Sequence, residues 1–193
     1  MFVFKISRKI SLYISRIYNF FLIKDQRVKI GKYCVFKGRI YFSGKNSIKL
    51  GDNVRINSGK HFNVIGGNTR TIIRTIGPGK INIGNGCGIS NSAIIAANSV
   101  TIEDNVLIGG NCKIFDTDFH PLQAEKRVEN ENSDTKTSPI LIKKGAFVGA
   151  HTVILKGVIV GENSIIGAGS VVTKNIPSNE IWAGNPAKFI RET

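Results

Sequence analysis

The sequence predicts an all-β fold in which short strands joined by tight corners wind into a parallel solenoid. Three observations support this fold class: a six-residue repeat of aliphatic residues, corner segments rich in Gly, Asp and Asn, and a hydrophobic content of 41% although only 8% of the residues are aromatic. Small aliphatic side chains suit the narrow core of a stack of short strands. The length of 193 residues predicts one main domain.

The repeat is clearest towards the C-terminus. An aliphatic residue stands at every sixth position there, and a small or compact residue follows four positions later. The aliphatic positions are Ile142, Val148, Ile154, Val160, Ile166 and Val172. The same spacing occurs upstream at Ile83, Ile89 and Ile95, at Ile102, Ile108 and Ile114 after a one-residue shift, and at Leu50 and Ile56. Each hexad predicts one strand and one corner, and three hexads predict a triangular coil, whereas a β-sandwich would show period two.

The corner segments agree with this interpretation. Residues 51–53, 84–86, 103–105 and 161–163 end in Asn or Gly after other turn-forming residues. These residue types tolerate a positive φ, which a tight corner between two strands requires.

The N-terminal region differs from the rest in charge and pattern. The net charge of the chain is +14, and residues 1–32 supply half of it, with eight Lys or Arg against Asp25. We expect residues 1–30 to form a basic amphipathic helix and residues 31–193 to form the solenoid domain. The apolar stretch of the helix contains Arg16, is too short to span a bilayer and precedes no small-residue cleavage site.

The helix has two interpretations. Its apolar face carries Val3, Ile6, Ile10, Tyr13, Ile14, Ile17 and Phe21, and its polar face carries Lys5, Arg8, Lys9, Arg16 and Asn19. Residues 1–24 would therefore make a peripheral contact with an anionic membrane surface. Alternatively, the apolar face packs on the domain itself or on a partner subunit.

An inserted loop at residues 115–139 interrupts the hexads and contains a candidate catalytic base, His120. A general base removes a proton from a reacting group, and imidazole suits this role because it titrates near neutral pH. Asp116 and Asp118 are candidates to orient the ring, although each also suits a turn. Cys87 and Cys112 fall at small inward positions, so we expect core thiols rather than nucleophiles.

Three segments make the sequence similar to the hexapeptide-repeat acyltransferases: IEDNVLIG at 102–109, DTDFHP at 116–121, and VVTK at 171–174 followed by AGNPAK at 183–188. The similarity covers residues 48–191 and is strongest to the maltose, galactoside and polysaccharide O-acetyltransferases. It implies a left-handed parallel β-helix, a homotrimer with sites at the subunit interfaces, acetyl-CoA as donor and His120 as base. Because we expect the cysteines in the core, we expect direct attack by the acceptor hydroxyl rather than a covalent acyl-enzyme.

The resemblance also implies binding residues. Positions that match donor-binding positions of the family are Ala150, Ala168, Thr173, Lys174, Lys188 and Arg191, the last four in or near a C-terminal tail at 174–193. Phe147 stands where the family often has Trp, which leaves that contact to the donor open. For the acceptor, a sugar or glycan, we expect contacts from Ser90 and Asn91.

We expect O-acetylation of a cell-surface polysaccharide or its lipid-linked precursor in the cytoplasm, because three widely spaced cysteines indicate a reducing compartment. N-acetylation of an amino sugar and a non-catalytic trimeric scaffold remain alternatives. A carbonic anhydrase on the same fold would need three zinc-binding histidines, but the spacings here are 59 and 31 residues. We expect no metal, and no nucleic-acid partner because no reading motif is present.

Overall fold

The chain forms a parallel β-helix that follows one long helix and ends in a hairpin. The structure, a computed structural model, describes residues 2–129 and 134–193, with side chains from residue 9 onward. Helix α1 spans Phe2–Asp25, and the short helix α2 spans Ala124–Val128.

Each coil contributes one strand to each of three sheets, which form the three faces of the solenoid. Sheet A contains β1 (Lys29–Ile30), β4 (Ile48–Leu50), β7 (Lys80–Ile83), β10 (Ser99–Ile102), β13 (Ile140–Ile142) and β16 (Ile159–Val160). Sheet B contains β2 (Val35–Lys37), β5 (Arg55–Asn57), β8 (Gly88–Ser90), β11 (Leu107–Gly110), β14 (Phe147–Val148), β17 (Ile165–Ile166), β19 (Glu180–Gly184) and β20 (Ala187–Glu192). Sheet C contains β3 (Tyr41–Ser43), β6 (Ile72–Thr75), β9 (Ala93–Ala96), β12 (Lys113–Phe115), β15 (Val153–Ile154) and β18 (Val171–Val172). Neighbouring strands are parallel except β19 and β20, which form an antiparallel hairpin.

The core follows the hexad pattern of the sequence. The six aliphatic residues from Ile142 to Val172 are all buried, and so are the compact residues four positions later. Residues of successive coils stack in register, as Ile108, Val148 and Ile166 do in sheet B. Burial of one such side chain contributes about 1.5–3 kcal/mol to folding, so the stacked columns hold the coils together.

The corners adopt the predicted backbone. Asn53, Gly86, Asn105 and Asn163 have φ between 57° and 68°. Only Gly adopts this region without a steric cost, and Asn is among the side chains that tolerate it best. The corner residues therefore allow the chain to turn between sheets A and B with little strain.

Side chains at the same corner also connect the coils. Asp52 Oδ1 accepts a hydrogen bond from the backbone N–H of Lys32 at 2.6 Å, Asn85 Oδ1 accepts from that of Asp52 at 2.8 Å, and Asp104 Oδ1 accepts from that of Asn85 at 2.6 Å. We call this row the corner ladder. It satisfies backbone donors that the short strands leave unpaired.

Helix α1 packs on the first coil through its polar side. Asn19 is 3% exposed; its Nδ2 donates to the carbonyl of Gly38 at 2.9 Å and its Oδ1 accepts from the N–H of Ile40 at 3.0 Å. Leu22 and Ile23 pack against the core from the same side. The helix is thus fixed to the domain by a buried amide and a few apolar contacts.

The opposite side of α1 is apolar and exposed to solvent. Its large hydrophobic residues are between 44% and 68% exposed: Ile10, Tyr13, Ile14, Ile17, Phe20 and Phe21. Val3 and Ile6, which the sequence assigns to this face, lie outside the described side chains. We call this surface the apolar face of α1. No helix within the described ranges is long and apolar enough to cross a membrane.

Two excursions leave the coils. Residues 58–71 connect β5 to β6, and residues 116–139 connect β12 to β13 and include α2. Both leave sheet corners, the first between sheets B and C and the second between sheets C and A. Sheet C therefore has an excursion at each end of its strands.

Candidate functional site

The two ends of the loop that carries His120 are paired through their backbones. The backbone N–H of Ser138 donates to the carbonyl of Asp116 at 2.9 Å, that of Asp118 donates to the carbonyl of Lys136 at 3.1 Å, and Thr117 forms an antiparallel bridge with Thr137. Both ends of the loop are thus held together where they leave the solenoid.

His120 follows these paired backbone segments and is exposed to solvent. The preceding residue, Phe119, has φ 63°, which is uncommon for a bulky side chain. Its N–H donates to Thr117 Oγ1 at 3.1 Å, and its ring lies 5.3 Å from that of Phe115. These contacts offset the backbone strain and hold the chain in the conformation that presents His120 to solvent.

Asp116 is fully buried and anchors the loop to the neighbouring coil. Its Oδ1 accepts from the N–H of Ala97 at 2.7 Å, and its Oδ2 accepts from the N–H of Asn98 at 2.8 Å. Both oxygens therefore satisfy backbone donors at the corner that follows β9.

Asp118 is placed differently. Its Oδ1 accepts from Lys156 Nζ at 2.6 Å, and the two side chains are 21% and 33% exposed. Its Oδ2 is buried and has no hydrogen-bond partner among the described residues. This carboxylate, two residues before His120, thus keeps an acceptor atom available.

A line of small residues follows the corner between sheets B and C, and it includes two of the predicted donor-binding residues. Ala150 and Ala168 lie in successive coils, and the N–H of Gly169 donates to the carbonyl of Ala150 at 2.8 Å. A Cβ at Gly149 or Gly167 would lie 2.6 Å or 2.8 Å from an atom of the next coil, so Gly is required for this spacing. We call this line the small-residue column.

The four other predicted donor-binding residues are exposed and lie in two places. Lys188 pairs with Ala183 across the final hairpin, and Ala183 lies against Gly167, which puts Lys188 at the end of the small-residue column. Arg191 lies further along the same hairpin strand. Thr173 and Lys174 follow β18, and therefore lie across sheet C from the column.

Of the two predicted acceptor residues, Ser90 ends strand β8 and is half-buried. Asn91 is buried, and its side chain holds the 58–71 excursion: Nδ2 donates to the carbonyl of Asn63 at 2.9 Å, and Oδ1 accepts from the N–H of Gly59. Asn91 thus has a structural contact at each end of its amide.

The core cysteines suit packing better than chemistry. Cys87 and Cys112 are buried, and burial raises the pKa of both thiols. Cys112 Sγ donates to the carbonyl of Gly149 at 3.1 Å. Within residues 2–129 and 134–193, no three His, Cys, Asp or Glu side chains come together as metal ligands would.

The sequence reasoning did not find Lys156, the partner of Asp118. The two residues are 38 positions apart and meet because adjacent coils stack. It also did not find the 58–71 excursion, although the interruption of the hexads between Ile56 and Ile83 was a signal for it.

Two family models match this chain. The model described as "Bacterial transferase hexapeptide (six repeats)" matches residues 139–174, and "Hexapeptide repeat of succinyl-transferase" matches residues 99–114. The chain therefore carries hexapeptide repeats in both of these segments. The predicted fold class, a left-handed parallel β-helix, is confirmed.

Relatives of this hexapeptide-repeat protein agree with the assignment. It is 34% identical to the galactoside O-acetyltransferase of Escherichia coli over 171 residues, which are 89% of this chain and 66% of that protein. Proteins of Schizosaccharomyces pombe and Saccharomyces cerevisiae are 40% and 39% identical over 94 and 102 residues. The chain thus spans just under two thirds of the first relative, and 43% and 50% of the other two.

Solved structures show the same architecture. A galactoside acetyltransferase in complex with coenzyme A matches with 32% identity and a TM-score of 0.55, over 85% of this chain and 64% of the other. The N-acyltransferase AntD of Bacillus cereus, in complex with dTDP and coenzyme A, matches with 23% identity and a TM-score of 0.67, over 85% and 83%. At that identity, the second match supports the fold alone.

Proposed function

We propose that this hexapeptide-repeat protein is an acetyltransferase that moves the acetyl group of acetyl-CoA to a sugar hydroxyl, with His120 as general base. The observation that carries the proposal is the anchored loop, which presents an exposed imidazole two residues after a carboxylate with an available oxygen. The identity to a galactoside O-acetyltransferase supports the same chemistry.

The reaction follows from the groups on the loop. His120 takes the proton of the acceptor hydroxyl while the hydroxyl oxygen attacks the thioester carbonyl carbon. The C–S bond then breaks, and His120 gives the proton to the leaving thiolate. Direct attack is favoured because Cys87 and Cys112 are buried and their raised pKa keeps them protonated at neutral pH. The acetyl group then passes to the sugar without an acyl-enzyme.

Asp118 is the residue that we assign to orienting the imidazole. Lys156 holds Oδ1 in place, and Oδ2 can accept from one ring N–H of His120, which leaves the other ring nitrogen free to act as base. Asp116 is fully buried and both of its oxygens already accept backbone hydrogen bonds, so we assign it to holding the loop.

For the donor, we propose that Ala150 and Ala168 line the pantetheine arm and that four polar residues bind the nucleotide end: Thr173, Lys174, Lys188 and Arg191. Cations suit the phosphates of CoA. Because two of these residues lie across sheet C from the small-residue column, one chain does not gather the whole set. A homotrimer, with the column of one subunit facing the neighbour's cations, would complete each site at a subunit interface.

For the acceptor, we propose a cell-surface polysaccharide or its lipid-linked precursor, with Ser90 nearest to the sugar. The apolar face of α1, flanked by exposed Lys9 and Arg16, supports a peripheral location on the cytoplasmic side of an anionic membrane. The helix is held to the domain by its polar side, so its apolar side is exposed, and burying that side in a membrane interface is more favourable than leaving it in water.

The test compares wild type with His120→Ala and with Gln123→Ala, a matched control that removes an exposed side chain of the same loop that makes no capping hydrogen bond. With acetyl-CoA and soluble galactosides as probes, His120→Ala should lower kcat at least ~100-fold and leave acetyl-CoA affinity unchanged, because only the base is lost. Unchanged turnover in His120→Ala would overturn the mechanism. Absence of acetyl-CoA binding by wild type in calorimetry would favour the scaffold, and acetylation of an amino group would favour the amino-sugar alternative.

A further inference from the structure

A large groove separates α1 from the first coils. Its volume is about 1120 Å³, and its walls come from α1, from the 58–71 excursion and from the starts of β6, β9 and β12. We infer that this groove binds the diphosphate and adjoining lipid of a polyisoprenyl-diphosphate-linked glycan. The inference rests on the proposed function and deepens it, because it names the class of acceptor and where the acceptor is held.

The charge of the groove matches a diphosphate. Arg39, Lys60, Arg70 and Lys113 line it, and no Asp or Glu is among the described residues that do so. These four cations form no ion pair with a carboxylate of the described chain, where the ion pairs are Lys126 with Asp134 and Lys156 with Asp118. Several cations without a counterion in a concave surface attract a multiply charged anion.

Aromatic rings position two of these cations. The Arg39 guanidinium lies 5.5 Å from the centre of the Tyr18 ring, and that of Arg70 lies 5.1 Å from the Tyr41 ring. Stacking limits the rotamers of each side chain but leaves the N–H donors at the guanidinium edge available. Such planar donors suit phosphate oxygens, which they can bind in pairs.

The apolar wall indicates that the anion is attached to a lipid. Ile10 and Ile14 line the groove and also belong to the apolar face of α1, at 55% and 44% exposure. A hydrocarbon chain that leaves the groove past these residues would enter the same interface in which α1 lies. A soluble nucleotide sugar would use the cations but leave this wall uncovered.

The groove is also connected to the catalytic loop. Lys113 begins β12, and the chain that leaves the other end of β12 leads to His120. A strand of three residues is roughly 10 Å long. A glycan whose diphosphate lies in the groove could therefore extend along sheet C towards the imidazole.

The experiment measures flotation of the full chain with three kinds of vesicle: phosphatidylcholine alone, phosphatidylcholine with polyprenyl diphosphate, and phosphatidylcholine with enough phosphatidylglycerol to match the charge. The groove variant is Arg39→Ala, Lys60→Ala and Arg70→Ala together. Its matched control is Lys32→Ala, Lys45→Ala and Lys49→Ala, which removes the same charge from exposed positions elsewhere. Lys60→Glu, a single change in the exposed excursion, serves if the triple groove variant unfolds.

Wild type and the control should prefer the polyprenyl diphosphate vesicles, and the groove variant should bind them at least ~10-fold more weakly, since charge-assisted hydrogen bonds to phosphate are lost. Equal binding to the two anionic vesicles, or an equal effect of the groove and control variants, would overturn the inference in favour of unspecific attraction. Absence of binding to any vesicle would also overturn it. Acetyl-CoA calorimetry on the same samples separates these outcomes from failure of the proposed function, in which wild type would not bind the donor.

Discussion

Replacement of Asp116 by Asn tests whether this carboxylate has the structural role that we assign to it, in contrast to the catalytic role that we propose for Asp118. The change keeps the size of the side chain and one acceptor oxygen, but it turns the other oxygen into an NH2 group. That group would face the N–H of Ala97 or Asn98, both of which now donate to Asp116. A donor facing a donor leaves one buried group without a partner.

The expected cost follows from this count. One buried polar group left unsatisfied costs about 1–3 kcal/mol, so Asp116→Asn should lower the free energy of unfolding by about 2 kcal/mol. For a chain of 193 residues, this corresponds to a fall in Tm of roughly 4–8 °C. Because the two ends of the loop would still pair at 25 °C, kcat at that temperature should change much less than the free energy of unfolding.

Asp118→Asn is the matched comparison. Its ion pair with Lys156 is partly exposed, so the loss in stability should be about 1 kcal/mol or less. The new NH2 group could not accept from the ring of His120, and kcat should therefore fall. Thermal unfolding gives the Tm of each variant, and steady-state kinetics give its kcat. If Asp116→Asn has wild-type Tm and the larger loss of kcat, the assignment of the two carboxylates is wrong.

Two further predictions concern packing and donor binding. Iodoacetamide at pH 7 should leave Cys87 and Cys112 of the native protein unmodified in a mass spectrum, because burial raises the pKa of both thiols. The contribution of the two protonated thiols to stability is present below about pH 8.5 and is lost as the pH rises further. Rapid labelling of either thiol in the native protein would contradict the prediction. Ala168→Leu should weaken acetyl-CoA binding at least ~10-fold in calorimetry, because a larger side chain at this exposed position would obstruct the small-residue column. The free energy of unfolding should change by no more than ~0.5 kcal/mol. The control is Ala124→Leu on the exposed helix α2; if both variants bind acetyl-CoA equally well, Ala168 is not part of the donor site.

The coils could be predicted from sequence because each hexad carries its own signal. An inward aliphatic at every sixth position has one structural meaning in a stack of short strands, and Ile142 to Val172 lie inward as expected. The first coil was harder, although Ile30, Phe36, Phe42 and Ile48 are also six apart. Two of these are Phe, and the Phe36 and Phe42 rings pack edge to face with centres 6.4 Å apart at the end covered by α1. The end of a solenoid has room for larger side chains, so a search for aliphatics alone begins one coil late.

The site was less predictable because its contacts join distant parts of the chain. Sequence could propose His120 and two nearby carboxylates, but the difference between Asp116 and Asp118 depends on Ala97, Asn98 and Lys156. The helix shows the same limit. Periodicity assigns Asn19 to the polar face but does not say which face the domain covers, and in the structure the Asn19 amide is buried against the first coil.

The corner ladder has a consequence for how such a protein can change in length. Each rung is a side-chain oxygen of one coil on a backbone N–H of the coil before it, from Asp104 to Asn85, from Asn85 to Asp52 and from Asp52 to Lys32. Removal of one hexad would rotate everything after it by one face and separate the two residues of the rung that spans the deletion, because they would no longer lie at the same corner. Removal of three hexads would return each corner to a corner of the same kind. Duplications and deletions in this architecture should therefore be tolerated in whole coils, with excursions of any length between them.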